Sequence, residues 1–242
     1  NRHRNPVVGL KDVNFYFTEE KRPVVNQKFL GASANNSFAD ITIIIDRKQS
    51  MKTYESQINS SVRELASCMD PRTTLRIVSA GQIPVLEYVG SPNGAKQFSV
   101  AGLKTGYANN VPMDLAVRLA ANDLINAEKK RAIIFISDGD ITQNSFDKYS
   151  LNEMTSYLNN NFISFLMIQV EQKAIDDSLD YLVKNTNGTE YFMFRPEGLS
   201  KIIKDIVEIP SGVYTFSYTS TLGTNFGEKY LPIEVEVYLM NR

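Results

Sequence analysis

Histidine and cysteine are almost missing from the 242-residue chain: His3 and Cys68 are single examples. One cysteine excludes an internal disulfide and a cysteine-rich zinc site. His3 falls in the terminal "NRHRNP", so catalytic schemes built on an internal histidine base have no candidate. A surplus of one charge is lacking too. The formal net charge is −1 and the pI is near 6.0, which offers no positive field to nucleic acid or an anionic membrane. Apolar runs stop at strand length, short of the roughly 20 residues that span a bilayer, so no membrane insertion is expected of this segment. No signal peptide is visible and the chain does not begin with Met, which reads as a piece of a longer polypeptide.

What is present suits a folded domain. Apolar residues make up 43% and charged residues 22%, enough for a sizeable core. From Ala39 to Ile209 buried strands alternate with helical segments. "ADITIIID" (39–46), "TLRIVSAG" (74–81), "IPVLEYVG" (83–90), "RAIIFISDGD" (131–140), "FISFLMIQV" (162–170) and "EYFMFR" (190–195) read as strands. Helical spacing covers 51–69, 112–128, 150–161, 175–188 and 198–209. Ser150 stands three residues before Glu153, the spacing of a capping box. The pattern predicts an α/β fold with a doubly wound, mostly parallel sheet covered on both faces.

The ends differ. "KDVNFYFTEE" (11–20), "GVYTFSYTST" (212–221) and "YLPIEVEVYLM" (230–240) alternate in period two. They predict antiparallel strands in a small β module formed by the two chain ends. The expected boundaries are 1–38 for the N-terminal β segment, 39–209 for the α/β domain and 210–242 for a C-terminal hairpin packing with the N-terminal segment.

Two carboxylates carry the chemistry. Asp46 and Asp138 each end a buried strand. At the carboxyl edge of an open parallel sheet, ligands bind where strand order reverses. If the two strands are neighbours there, the acids converge, and with Ser50 they form an oxygen-rich cluster suited to a hard cation. Each aspartate alone has a plainer explanation, because "SDGD" is a turn signal.

"ITIIIDRKQSM", the helix after it, and "RAIIFISDGD" before another helix–strand pair resemble a von Willebrand factor A (VWA) domain of bacterial type. The likeness covers residues 39–209. It implies a Rossmann-like fold and a metal-ion-dependent adhesion site made of Asp-x-Ser-x-Ser, a Thr before a middle helix, and a later Asp. Asp46, Ser50 and Asp138 match that pattern, and Asn110 falls where the Thr belongs; Thr105 matches by type but lies five residues too early. The implied cofactor is Mg²⁺ or Mn²⁺. The first Ser of the pattern is replaced by Lys48, and an ammonium has three donors and no acceptor. About 6 Å from a divalent ion it would repel by about 5 kcal/mol at an effective dielectric of 20. Either the side chain turns into water or its charge sits between the two acids, so a degenerate, weakened or metal-free site is expected.

The functional expectation is a non-enzymatic protein–protein interaction or adhesion module that uses this edge, in the periplasm or at the cell surface. Lys48, Tyr107 and Asn109 are the candidate partner contacts, with Lys48 placed to meet an acidic side chain. Two alternatives stand beside it. One is a metal-dependent hydrolase or phosphotransferase using Asp46 and Asp138, with Asp140 as the available base. The other is a purely structural module of a cell-envelope protein.

Overall fold

Among the described residues of the computed structural model (10–32, 38–127, 129–208, 214–223 and 232–239), the strands are β1 (Phe15–Glu19), β2 (Arg22–Pro23), β3 (Val25–Ala32), β4 (Ala39–Asp46), β5 (Leu75–Ala80), β6 (Val85–Gly90), β7 (Lys130–Ser137), β8 (Ile163–Gln169), β9 (Glu190–Phe192), β10 (Tyr214–Thr219) and β11 (Ile233–Val237). The helices are α1 (Glu55–Cys68), α2 (Pro92–Ala95), α3 (Met113–Asn122), α4 (Leu151–Asn160), α5 (Asp177–Asn185) and α6 (Ser200–Glu208). Expected element ends at 128, 209, 212–213, 230–231 and 240, together with His3, lie outside the described residues. The chain divides into two compact units: residues 36–209, and residues 1–35 with 210–242. No helix among the described residues is long and apolar enough to cross a membrane.

All eight residues of β4 are buried. Four isoleucines and a threonine favour a pleated strand, and a strand with no polar face must run through the middle of a covered sheet. The order is β6-β5-β4-β7-β8-β9. All neighbours are parallel except β6, which runs antiparallel to β5. The chain moves outward from β4 to β5 and β6, then returns to β7 on the other side of β4, so strand order reverses between β4 and β7.

Successive β4 side chains face opposite layers. Ile41, Ile43 and Ile45 pack with Ile58, Val62 and Leu65 of α1 and with Ile202 and Ile206 of α6. Ile44 packs on the other face with Val117 and Ala121 of α3, Leu158 of α4 and Leu182 of α5. Thr42, also on that face, donates its buried hydroxyl to the Ala120 carbonyl at 3.0 Å. This is the predicted α/β sheet with two helical layers. The Ser150 capping box forms: its Oγ accepts from Glu153 N at 3.3 Å, and Glu153 Oε2 accepts from Ser150 N at 2.8 Å.

Three elements depart from expectation. The segment 51–69 is not one α-helix: Gln49–Tyr54 is a 3-10 helix, and α1 starts at Glu55. The segment 112–128 stops as α-helix at Asn122 and continues as a 3-10 turn, Leu124–Asn126, because Asn122 and Asp123 propagate a helix poorly. The two C-terminal strands do not form a hairpin with each other. β10 pairs with β3 and β11 pairs with β1, both antiparallel, in separate sheets of orders β10-β3 and β11-β1-β2. Phe15, Phe17, Phe29, Tyr214 and Phe216 pack their rings together in this chain-end unit, mostly in tilted pairs.

Candidate functional site at the carboxyl edge of the sheet

The parallel register of β4 and β7 pairs Ile45 with Ile136. That puts Ser137 beside Asp46 and Asp138 one step beyond, at the point where strand order reverses. Asp46 and Asp138 are 1% and 2% exposed, so each needs partners for its oxygens. Asp46 Oδ1 accepts from the Lys48 amide at 3.0 Å, and Asp46 Oδ2 accepts from Ser137 Oγ at 2.6 Å. Asp138 Oδ2 accepts from Ser50 Oγ at 2.5 Å, and Asp138 Oδ1 accepts from the Asp140 amide at 3.1 Å. The 3-10 start of the following helix keeps Ser50 within this reach. Gly139 makes the turn with φ +96°; a Cβ there would stand 2.8 Å from Gln169 Nε2, so only glycine fits without displacement.

Lys48 completes the cluster. Its Nζ lies 2.5 Å from Asp138 Oδ1 and 3.4 Å from Asp46 Oδ2, and it also donates to the Asp140 carbonyl. Two acceptors, Asp138 Oδ1 and the Asp140 carbonyl, take N–H groups of the ammonium, and Asp46 Oδ2 adds an ion-pair contact. Of the two arrangements expected for Lys48, the structure adopts the one between the acids. The electrostatics of the two carboxylates differ. Burial pushes Asp46 up to about 6, against the pull of the Lys48 charge and the Ser137 hydrogen bond. Burial opposes ionisation of Asp138 as well, but hydrogen bonds from Lys48 and Ser50 hold its carboxyl below the usual carboxylate range.

A divalent cation does not fit this arrangement. It would need its oxygens at about 2.0–2.6 Å, and the ammonium stands where those oxygens converge. Among the described residues, no group of three or more His, Cys, Asp or Glu is placed to hold a metal ion.

Beside the cluster runs the loop carrying the other predicted residues. Lys48 bridges Ala108 in parallel: the Ala108 amide donates to the Arg47 carbonyl at 2.8 Å, and Gln49 N to the Ala108 carbonyl at 3.2 Å. The buried Arg47 guanidinium lies 3.7 Å over the Tyr107 ring. The Tyr107 hydroxyl donates to Glu55 Oε1 at 2.6 Å, and burial pushes its phenol well above the ordinary range. Asn109 and Asn110 are exposed and make no hydrogen bond to the acids among the described residues. With Gln49, Gln82, Thr105 and Tyr107 they line a pocket of about 460 Å³. On the other flank, Lys173 Nζ pairs with Asp140 Oδ2 at 2.7 Å and Glu171 Oε2 at 3.3 Å, and Tyr54 donates to Glu171.

The structure thus brings together Asp46, Lys48, Ser50 and Asp138, and leaves Tyr107, Asn109 and Asn110 on the adjoining rim. Sequence reasoning missed Ser137, Arg47 and the Asp140 carbonyl. Ser137 had a signal: in a parallel pair ending in Asp46, it is the neighbour dictated by register.

The fold and this edge define the class: the chain has the fold of a VWA domain. A von Willebrand factor type A structure from Catenulispora acidiphila superposes with a TM-score of 0.57 at 12% identity, over 84% of this chain and 52% of that one. An aerotolerance-related membrane protein from Bacteroides fragilis superposes with a TM-score of 0.54 at 15% identity, over 70% of this chain and 98% of its own. Proximal thread matrix protein 1 of the mussel byssus, whose adhesion-site motif is occupied by zinc, superposes with a TM-score of 0.53 at 14% identity, over 75% of this chain and 47% of that one. At such identities the likeness is one of fold. No family model matches the chain, and no curated protein is similar to it in sequence.

Proposed function

We propose that residues 36–209 form a non-enzymatic protein–protein interaction or adhesion module that binds through the carboxyl edge of the sheet, outside the cytoplasm. The observation that carries this reading is the division of labour at the edge. The acid pair is buried and held by its own lysine, which balances one of its two charges, while the neighbouring pocket presents the exposed amides of Asn109 and Asn110. The Lys48 ammonium is buried and turned inward onto Asp138 and the Asp140 carbonyl, away from a partner. An acidic side chain of a partner protein therefore meets the Asn109 and Asn110 amide groups and the rim around Tyr107. Asp140, the base that a hydrolytic reading would need, is engaged by Lys173. Its likeness to a membrane protein of a Bacteroides species supports the extracytoplasmic assignment. The test is site-specific photo-crosslinking in the native host, with the photoreactive residue at Asn109 or, as control, at exposed Lys204 of α6. A discrete adduct from position 109 alone is expected. Equal adducts from both positions, or none from position 109, would overturn the reading.

A further inference from the structure

We propose that the ammonium of Lys48 is a tethered cation filling a cation site permanently, and that truncating this side chain opens the site to a free divalent ion. Three oxygens converge on Nζ: Asp138 Oδ1 at 2.5 Å, Asp46 Oδ2 at 3.4 Å and the Asp140 carbonyl. None of them depends on the ammonium for its place. Asp46 is fixed by the Lys48 amide and Ser137 Oγ, Asp138 by Ser50 Oγ and the Asp140 amide. Asp140 belongs to the turn that Gly139 makes.

Cutting the side chain back to Cβ therefore removes charge and volume but leaves the oxygens aimed at one point. Two buried carboxylates without a counter-charge are strongly unfavourable, so the vacated position attracts a cation. The ligands are all hard oxygens, the room left by three methylenes and the ammonium admits water, and Mg²⁺ or Mn²⁺ takes one or two carboxylates together with waters. An ordinary structural ion pair carries no such expectation: its loss would be a loss of stability that no ion restores. The wild-type edge, in contrast, is indifferent to divalent ions and to chelators, since its cation cannot dissociate.

This inference shares with the proposed function only the acid cluster; adducts at position 109 and metal binding by a Lys48 variant are separate readouts, and each can fail alone. The experiment uses the whole chain. Wild type, Lys48→Ala and Lys48→Ala/Asp138→Asn are titrated with Mn²⁺ and Mg²⁺ by calorimetry, and their thermal unfolding is followed with Mn²⁺ or with a chelator. Lys48→Ala is expected to bind Mn²⁺ at a single site about tenfold or more tighter than wild type. It should melt higher with Mn²⁺ than with chelator, and the double variant should lose both effects. Mn²⁺ binding by wild type that disappears in Asp138→Asn overturns the proposal, as does a folded Lys48→Ala that ignores the ion. If Lys48→Ala unfolds without metal, the proposal requires Mn²⁺ to restore its fold, and failure to do so overturns it as well.

Discussion

The interiors of the two units are built on different principles. In residues 36–209 the centre is aliphatic and closed: every β4 side chain is buried, and Ile43, Ile44 and Ile45 are 0% exposed. In the chain-end unit the interior is aromatic and open. Phe17 is its one buried apolar side chain among the described residues, and all five residues of β11 are exposed. Phe216 is the hub there, with ring centroids 4.7 Å from Phe15, 4.8 Å from Phe17 and 5.1 Å from Phe29. Two sheets of two and three short strands enclose little volume. Large rings collect more contact per residue than isoleucine can in so thin a layer. Stability is therefore concentrated in the α/β unit, and the chain-end unit relies on a few side chains.

The sharpest way to break this contrast is to cut each interior at its largest ring. Phe165→Ala, at a fully buried β8 position beside Phe135, should destabilise the α/β unit by about 3–5 kcal/mol, read from chemical denaturation. A loss below about 1 kcal/mol would deny that the core is close-packed.

An intermediate effect comes from Asp46. Its folded pKa, about 6, lies above the ordinary 3.8 of an aspartate, so between these values the native state binds more protons than the unfolded chain. Stability contributed by the protonated carboxyl is present below about 4 and is lost as pH rises through about 6, with about 3 kcal/mol as its upper bound. Asp138, held low, acts oppositely and below that window: its contribution is lost as pH falls through its folded pKa. Wild type should therefore lose stability relative to Asp46→Asn as pH rises from about 4 to about 6. Parallel stability profiles for the two proteins would contradict the burial argument.

The smallest effect is expected in the open interior. Phe216→Ala should cost about 1–2 kcal/mol and leave amide exchange in β4 and β7 unchanged. If β4 exchange accelerates in step, the two units are one cooperative body and the comparison fails.

Much of the fold was legible because β4, β7 and β8 are dominated by branched and aromatic apolar residues and bounded by turn residues, a pattern few alternatives satisfy. Strand partnership at the chain ends was not. Period-two alternation in 212–221 and 230–240 states which face is apolar but not which strand lies alongside, and each took an N-terminal partner in place of the other. β3 went unnoticed because "VNQKFLGA" mixes polar and apolar residues without a clear period. At the site, Asp46 and Asp138 could be placed because strand ends are visible in sequence. Counting back from the helix start to Asn110 gives distance along the chain only; the direction of the side chain is set by the backbone bridge at Ala108. Lys48 posed a choice that composition cannot decide, since whether an ammonium stays wet depends on how many oxygens await it inside.

The bridge between Lys48 and Ala108 has a mechanical consequence. Around residue 48 two loops are riveted by different means: the main chain of Arg47 and Gln49 holds Ala108, and the Lys48 side chain holds Asp138 and the Asp140 carbonyl. Truncating the side chain should loosen its hold on Asp138 and Asp140 while Ala108 stays seated and Thr142 still ties the two loops at Val111. A lysine at this position thus links neighbouring loops by a covalent tether, a coupling that does not depend on anything dissolved in the surrounding solution.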